Sequence, residues 1–296
     1  MLLLLAVVAV WGSTFVLVKS ALTDASPLLF NLLRMAVASI TLLLIHRRSL
    51  RDISGGTVRS GVLIGILLAA GYQLQTAGLA HTSAIKSAFI TGLAVVLVPL
   101  LSFVPAIRPP HAPRPGVNAI LGAFLAFTGL FLLSSPAGTP FRAVWSTFGL
   151  GDLLTFGCAL AFAGHLLAIA RATHLRSAEL ATLQIVIATL VMALTLPLGG
   201  HPHLHLTLLL IAALLITGIL ATAAAFTIQT WAQAHLPATT TALLFTLEPV
   251  FALLFSLTFL SERLSLRSGL GTVLILIGIA VTEFLSNTPP TPALPL

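Results

Sequence analysis

Residues 75–104 read QTAGLAHTSAIKSAFITGLAVVLVPLLSFV, and residues 229–258 read QTWAQAHLPATTTALLFTLEPVFALLFSLT. Laid over each other at a shift of 154 positions, ten of the thirty residues agree: Gln75/Gln229, Thr76/Thr230, Ala80/Ala234, His81/His235, Ala84/Ala238, Ala88/Ala242, Leu93/Leu247, Val96/Val250, Leu100/Leu254 and Ser102/Ser256. A composition this rich in Leu and Ala gives roughly three matches by chance. The Gln-Thr pair and the histidine do not come from the apolar background. At a shift of 149, Gly122 and Gly129 fall on Gly271 and Gly278. The chain therefore reads as two related halves.

Outward from that repeat, the composition decides the solvent. Of 296 residues, 58% are hydrophobic and 7% are charged, and mean hydropathy is +1.10. Average soluble domains carry about a quarter charged residues. Fourteen basic and seven acidic residues are too few to hydrate the surface of a globule this size. A disordered chain needs more polarity than this, so most of the surface faces lipid. The net charge of +7 is not a nucleic-acid footprint, because Arg47, Arg48, Arg51 and Arg59 sit in a short gap between apolar runs and form no basic stripe. Cys158 is the sole cysteine, which excludes an intrachain disulfide.

Breaks at charge, proline and glycine clusters leave ten apolar runs: 2–20, 27–45, 61–80, 84–104, 117–134, 150–171, 178–198, 207–234, 238–260 and 266–285. Each approaches the about 20 residues a spanning helix needs, well beyond the about ten alternating residues of a barrel strand. The first run has no basic residue before Lys19 and reads as a retained span rather than a cleaved signal. No gap is long enough for a soluble domain. The division is a first repeat over 1–134, a linker over 135–149, a second repeat over 150–286, and a proline-rich disordered tail over 287–296.

Five spans per repeat is an odd number, so the second copy enters the membrane from the opposite side. The expected fold is an all-α integral membrane protein of ten transmembrane helices in two inverted five-helix repeats. Inverted repeats are concentrated in secondary transporters, where exchange of the two halves' conformations alternates access to a central site. With both termini in the cytoplasm, eight arginines fall in inside loops (Arg47, Arg48, Arg51, Arg59, Arg108, Arg114, Arg171, Arg176). Arg142, Arg263, Arg267 and Lys19 fall outside. That asymmetry favours the orientation, although SERLSLRS runs against it. The expected location is the cell inner (plasma) membrane.

Several motifs, in order and duplicated, resemble the drug/metabolite transporter superfamily, specifically EamA-type permeases, along nearly the whole chain. Trp11-Gly12-Ser13-Thr14-Phe15 followed by Lys19 is similar to the first-span signature, and Phe30 with Arg34 in LLFNLLRMAVAS to the second. Residues 81–101 resemble the segment running from the third to the fourth span, and residues 247–281 resemble the closing segment. The resemblance implies a central substrate cavity and transport driven by gradients without ATP. It implies no substrate, since relatives handle amino acids, metabolites, sugars and drugs. One departure is visible: Phe162-Ala163 stands in the sixth span where the first has Trp11-Gly12.

Charge is expensive in hydrocarbon, so the few intramembrane ionisable groups are candidates for function. Glu248 precedes Pro249 about ten residues into the ninth span, opposite Ala94 in the repeat. A kink at the proline frees carbonyls beside the carboxylate, which then serves proton coupling, holds a cationic group, or acts as internal hydrogen-bonded glue. Lys86 faces Thr240 in the repeat and either snorkels to the interface or binds a carboxylate in the cavity. Arg34, near mid-span, either locks the bundle or contacts substrate. Gln75, Thr76, Gln229 and Thr230 form a pseudo-symmetric polar set. With Tyr72, Trp231 and Trp11 beside them, they supply the aromatics and few polar groups of a small-molecule pocket.

His201, His203 and His205 lack Cys or acid neighbours and read as solvated loop residues, with no metal site. His81 and His235 sit at helix ends in capping or interface roles. No HExxH or Walker A motif is present and the acids are scattered, so an intramembrane enzyme or a non-transporting scaffold is the weaker alternative. The expected partners are a small-molecule substrate and the bilayer, with no cofactor and no nucleic acid. Small-residue faces such as Gly61/Gly65 and Gly122/Gly129 allow close packing and leave oligomerisation open.

Overall fold

The computed structural model describes residues 1–79, 81–82, 84–110, 112, 114–134, 149–248, 250–251, 254–255 and 266–284. Pro249, Arg142, Arg263, the 135–148 segment and the tail lie outside the described residues, as do the side chains of Lys19 and Lys86. Among the described residues the elements are helical: α1 (Leu2–Ala21), α2 (Pro27–His46), α3 (Gly55–Leu79), α4 (Ala84–Thr91), α5 (Ala94–Leu101), α6 (Val117–Ser134), α7 (Leu150–Arg171), α8 (Ser177–Thr195), α9 (Leu208–Gly218), α10 (Ala225–Gln233), α11 (Ala238–Phe245) and α12 (Leu266–Phe284). A π-helical segment, Ile219–Ala224, joins α9 to α10.

Five segments are long and apolar enough to cross a membrane: Pro27–His46, Gly55–Gly78, Leu150–Arg171, Ser177–Leu198 and Leu208–Gln233. Shorter apolar helices accompany them at Leu2–Thr14, Phe89–Leu101, Val117–Leu132 and Leu266–Thr282. Exposed Leu44, Leu194, Leu208, Leu266 and Phe124 form an outer surface that only hydrocarbon solvates at low cost. The chain is thus an all-helical membrane protein.

The structure departs from the sequence reading at several boundaries. The third helix begins at Gly55, not 61, because Ser54 caps it: the Thr57 amide donates to Ser54 Oγ at 3.1 Å, satisfying one orphan donor of the first turn. The run 84–104 is not one helix. It breaks at Gly92-Leu93 between α4 and α5.

That break has a counterpart. The run starting at Ala238 leaves the α-helix at Thr246-Leu247 and resumes at Glu248, and 246–247 is 92–93 shifted by 154. The hydrogen bonds shift with it. Leu93 N donates to Ile90 O at 3.1 Å and Leu97 N to Leu93 O at 2.9 Å; Leu247 N donates to Leu244 O at 3.1 Å and Phe251 N to Leu247 O at 2.9 Å. Each break tightens one turn to i→i−3 bonding and so leaves carbonyls without their helical partners.

Small residues set the deepest crossings. A Cβ on Gly122 would lie 2.5 Å from the Gly278 carbonyl oxygen, and one on Gly129 2.5 Å from that of Gly271. Hence α6 and α12 run antiparallel with their backbones in contact, as small-residue interfaces permit. The glycines aligned at a shift of 149 are cross-paired: the first of one helix meets the second of the other. Helices α2 and α8 also cross antiparallel, at Ser39 and Thr189, whose hydroxyls are 2.8 Å apart. Helix α3 packs on α7 and α8, while the α9–α10 helix packs on α1 and α2.

At one end of the bundle, the 22–26 turn is strapped to the loop before α9 by an antiparallel bridge between Ala25 and Leu204. Ser26 N donates to His203 O at 3.1 Å, and His205 N to Asp24 O at 2.7 Å. His203 and His205 are exposed, in line with their reading as loop residues.

Candidate functional site

Near the middle of the bundle, α1, α2, α3, the π segment and the second helix break present their polar and aromatic groups to one another. The widened π turn moves backbone and side-chain groups off the regular helical positions, and two of them are used. Trp11 Nε1 donates to Ala221 O at 2.8 Å, and Arg34 Nε donates to Thr222 Oγ1 at 2.7 Å.

Arg34 is 8% exposed and needs partners for its donors. Besides Thr222 it has Tyr72: Nη2 donates to the Tyr72 hydroxyl at 2.8 Å, and the guanidinium carbon stands 5.0 Å from the ring centroid. This combination of hydrogen bond and ring contact suits the planar guanidinium and not an ammonium. Tyr72 in turn stands edge-on to Phe162, with centroids 5.7 Å apart.

Glu248 opens the helical segment that follows the Thr246-Leu247 break. Its carboxyl lies within Coulombic reach of Arg34 and of Tyr72. Both Glu248 and Tyr72 are half-buried. Trp11 closes the apolar side: its ring is 5.7 Å from Phe226 and 5.1 Å from Phe245. Arg34, Glu248, Tyr72 and Trp11 thus share one site, carrying one cation, one carboxylate and an aromatic wall.

The remaining sequence candidates fall elsewhere. Gln75 is half-buried and donates through Nε2 to Thr91 Oγ1 at 3.3 Å, just before the first break. Thr91 Oγ1 lies 3.9 Å from Cys158 Sγ. Gln229 is 1% exposed and donates to Gln233 Oε1 at 3.2 Å, among other buried polar side chains. Trp231 is 46% exposed and rests on His235, centroids 4.7 Å apart. Two positions along a helix turn about 200°, so Gln229 facing inward forces Trp231 outward. Lys86 belongs to α4, its side chain being outside the described residues.

The sequence reading passed over Asn31, Thr222 and His165. Asn31 Nδ2 donates to Thr76 Oγ1 at 2.9 Å. His165 Nε2 and Gln184 Oε1 are 2.8 Å apart. Intramembrane histidine and asparagine carry the same signal as Arg34, so two of the three were within reach; Thr222 was not, because a threonine among Ala and Leu looks like packing. Among the described residues, no group of three or more His, Cys, Asp or Glu stands ready to hold a metal.

The model of the EamA-like transporter family matches residues 1–135 and 149–284, and the chain belongs to that family. A protein of Archaeoglobus fulgidus described as an uncharacterized transporter is 32% identical over 280 residues, covering 94% of this chain and 84% of that protein. The uncharacterized transporter YoaV of Bacillus subtilis is 22% identical over 289 residues, covering 96% of each. One crystal structure superposes with a TM-score of 0.78 at 18% identity over 97% of this chain and 98% of that one, which bears on the fold alone. The chain is a membrane transporter for a small-molecule substrate.

Proposed function

We propose that this transporter is a secondary carrier that moves a small organic solute by alternating access, with Trp11, Arg34, Tyr72 and Glu248 as its solute site. Ten spans form two inverted five-helix repeats, 1–134 and 150–286, with both termini cytoplasmic. The observation that carries this reading is the pair of helix breaks at 92–93 and 246–247, 154 positions apart. Interrupted helices at corresponding positions of two halves are the usual mark of a transporter's binding site. Glu248 stands at one break, and Ala94 occupies the matching place at the other. The antiparallel, cross-paired contact of α6 with α12 is what a two-fold axis in the membrane plane produces.

The chemistry follows from charge in a low-dielectric site. Arg34 is held by neutral partners, so its charge is not spent on a fixed carboxylate among the described residues. Glu248 shares its field and keeps accessible surface. A solute with a basic group takes Glu248; one with an acidic group takes Arg34, and the aromatic wall covers the rest. A proton on Glu248 neutralises the carboxylate and leaves the Arg34 charge unbalanced, so a proton and a solute cation compete for the same group, and their exchange is the expected coupling.

The test is flux into proteoliposomes, screening radiolabelled amino acids, small metabolites and cationic dyes with and without a pH gradient. Glu248→Gln should abolish the uptake that the native protein supports. Catalytic turnover in detergent without any flux would overturn the reading.

A further inference from the structure

Three positions of α3 are more accessible than the positions that the repeat pairs with them. Tyr72, Gln75 and Thr76 are half-buried. Their partners 154 positions on, Phe226, Gln229 and Thr230, are 3%, 1% and 3% exposed. Gln184, at the place in α8 that Arg34 holds in α2 (150 positions apart), is fully buried.

The buried set is polar and forms two short hydrogen-bond chains, which meet where Gln229 adjoins Thr230 and His165 adjoins Leu166 in sequence. His165 Nε2 faces Gln184 Oε1 at 2.8 Å, Gln184 Nε2 donates to Thr230 Oγ1 at 2.9 Å, and Thr230 Oγ1 donates to Phe226 O at 2.7 Å. Gln229 donates to Gln233, which donates to Leu166 O at 2.9 Å. One atom is left over: Gln229 Oε1 is buried with no hydrogen-bond partner. An orphaned buried carbonyl costs about 1–3 kcal/mol, a cost that a purely structural network would avoid by carrying Leu there.

Helix α7 measures where this cluster stands. Gln75 and Thr91 sit beside Cys158, Tyr72 against Phe162, and Gln233 at Leu166. Cys158 to Leu166 is eight residues, about 12 Å along a helix. The accessible set lies toward one end of α7 and the sealed set toward the other. Phe226 stands between, touching Trp11 of the central site at 5.7 Å and His165 of the cluster at 5.9 Å.

We propose that the cluster of His165, Gln184, Gln229, Thr230 and Gln233 is a second solute station, sealed behind Phe226 in this conformation. It receives an N–H or O–H group of the solute on Gln229 Oε1 when the second half opens. This rests on the alternating-access reading above, and it assigns the cluster to the path rather than to the scaffold.

The experiment replaces Cys158 with alanine and introduces single cysteines, Gln75→Cys and Gln229→Cys, in vesicles of phosphatidylethanolamine and phosphatidylglycerol. The probe is membrane-impermeant fluorescein-5-maleimide, applied from either face. Gln75→Cys should react from one face, and Gln229→Cys at least tenfold more slowly and from the opposite face. Inertness of Gln229→Cys from both faces, or reaction from the same face as Gln75→Cys, would overturn the proposal, as would an inert Gln75→Cys. If Gln229→Cys does not fold, as judged by its thermal unfolding, Thr230→Cys takes its place with the same outcomes. The two readings separate: if Glu248→Gln abolishes flux while the cluster is never labelled, the station fails alone. If Glu248→Gln leaves flux intact while labelling follows the expected pattern, it is the central site that fails.

Discussion

Trp11 and Ala221 are 210 positions apart in the chain, and the indole N–H of one donates to the carbonyl of the other at 2.8 Å. Ala221 belongs to the π turn Ile219–Ala224, whose wider winding shifts its carbonyl from the regular helical position. It ties the first helix to the irregular stretch of the α9–α10 helix, where Arg34 also bonds Thr222. Trp11→Phe keeps a ring against Phe226 and Phe245 and removes only the donor. The expected loss is about 1 kcal/mol of stability, read from thermal unfolding in detergent, with transport reduced.

Arg34 offers a sharper test. Arg34→Lys keeps the charge but loses the Nε–Thr222 and Nη2–Tyr72 geometry, so flux should fall at least tenfold despite conserved charge. Tyr72→Phe removes one of those acceptors and should cost about 1–3 kcal/mol for the buried donor it strands. Equal flux in Arg34→Lys and the native protein would show that only the charge matters.

The glycine crossing is expected to tolerate nothing larger. Gly278→Ala places a Cβ 2.5 Å from the Gly122 carbonyl oxygen, and overpacking of this kind costs about 1–3 kcal/mol. Gly55→Ala meets nothing within 4 Å and serves as the neutral control. Melting temperatures of the two variants compared in one detergent check the difference.

Asp152 holds the start of α7. Its Oδ2 accepts the Gly149 amide at 2.9 Å and its Oδ1 the Thr82 hydroxyl at 2.6 Å, so it caps one helix and ties it to the turn after α3. Asp152→Ala should cost about 0.5–2 kcal/mol, with hydrogen exchange rising first at Leu150–Leu153.

The end strap supplies a geometric check. Paired residues of an antiparallel bridge have Cα atoms about 4.5–5.5 Å apart, within disulfide range. Ala25→Cys with Leu204→Cys in a Cys158→Ala background should oxidise to completion, measured as loss of free thiols by mass spectrometry.

Much of the membrane architecture was legible in the residues because lipid imposes a one-dimensional rule. Hydrocarbon accepts only long apolar helices, so run length alone places most of the helices; Leu150–Arg171 and Val117–Ser134 match the reading to the residue. The repeat was visible for the same reason, since positions such as Gln75 and Gln229 stand out against an apolar background. Arg34 and Glu248 announced themselves by the cost of burying charge.

The rest depended on three-dimensional packing. That Arg34 meets Tyr72 and Thr222, and not Gln229 or Trp231, follows from helix rotation, which a mainly apolar sequence hardly encodes because the lipid-facing and protein-facing sides look alike. The π turn at Ile219–Ala224, which takes hydrogen bonds from Trp11 and Arg34 of other helices, and the paired breaks at 92–93 and 246–247 leave no mark in the apolar pattern. The sequence by itself determined that this is a membrane bundle of two related halves, with Arg34, Lys86 and Glu248 as its candidate intramembrane charges. Only the tertiary structure decided that Arg34 meets Tyr72 and Thr222, and that Gln229 and Thr230 are buried while Gln75 and Thr76 stay half-buried, because helix rotation and packing set both.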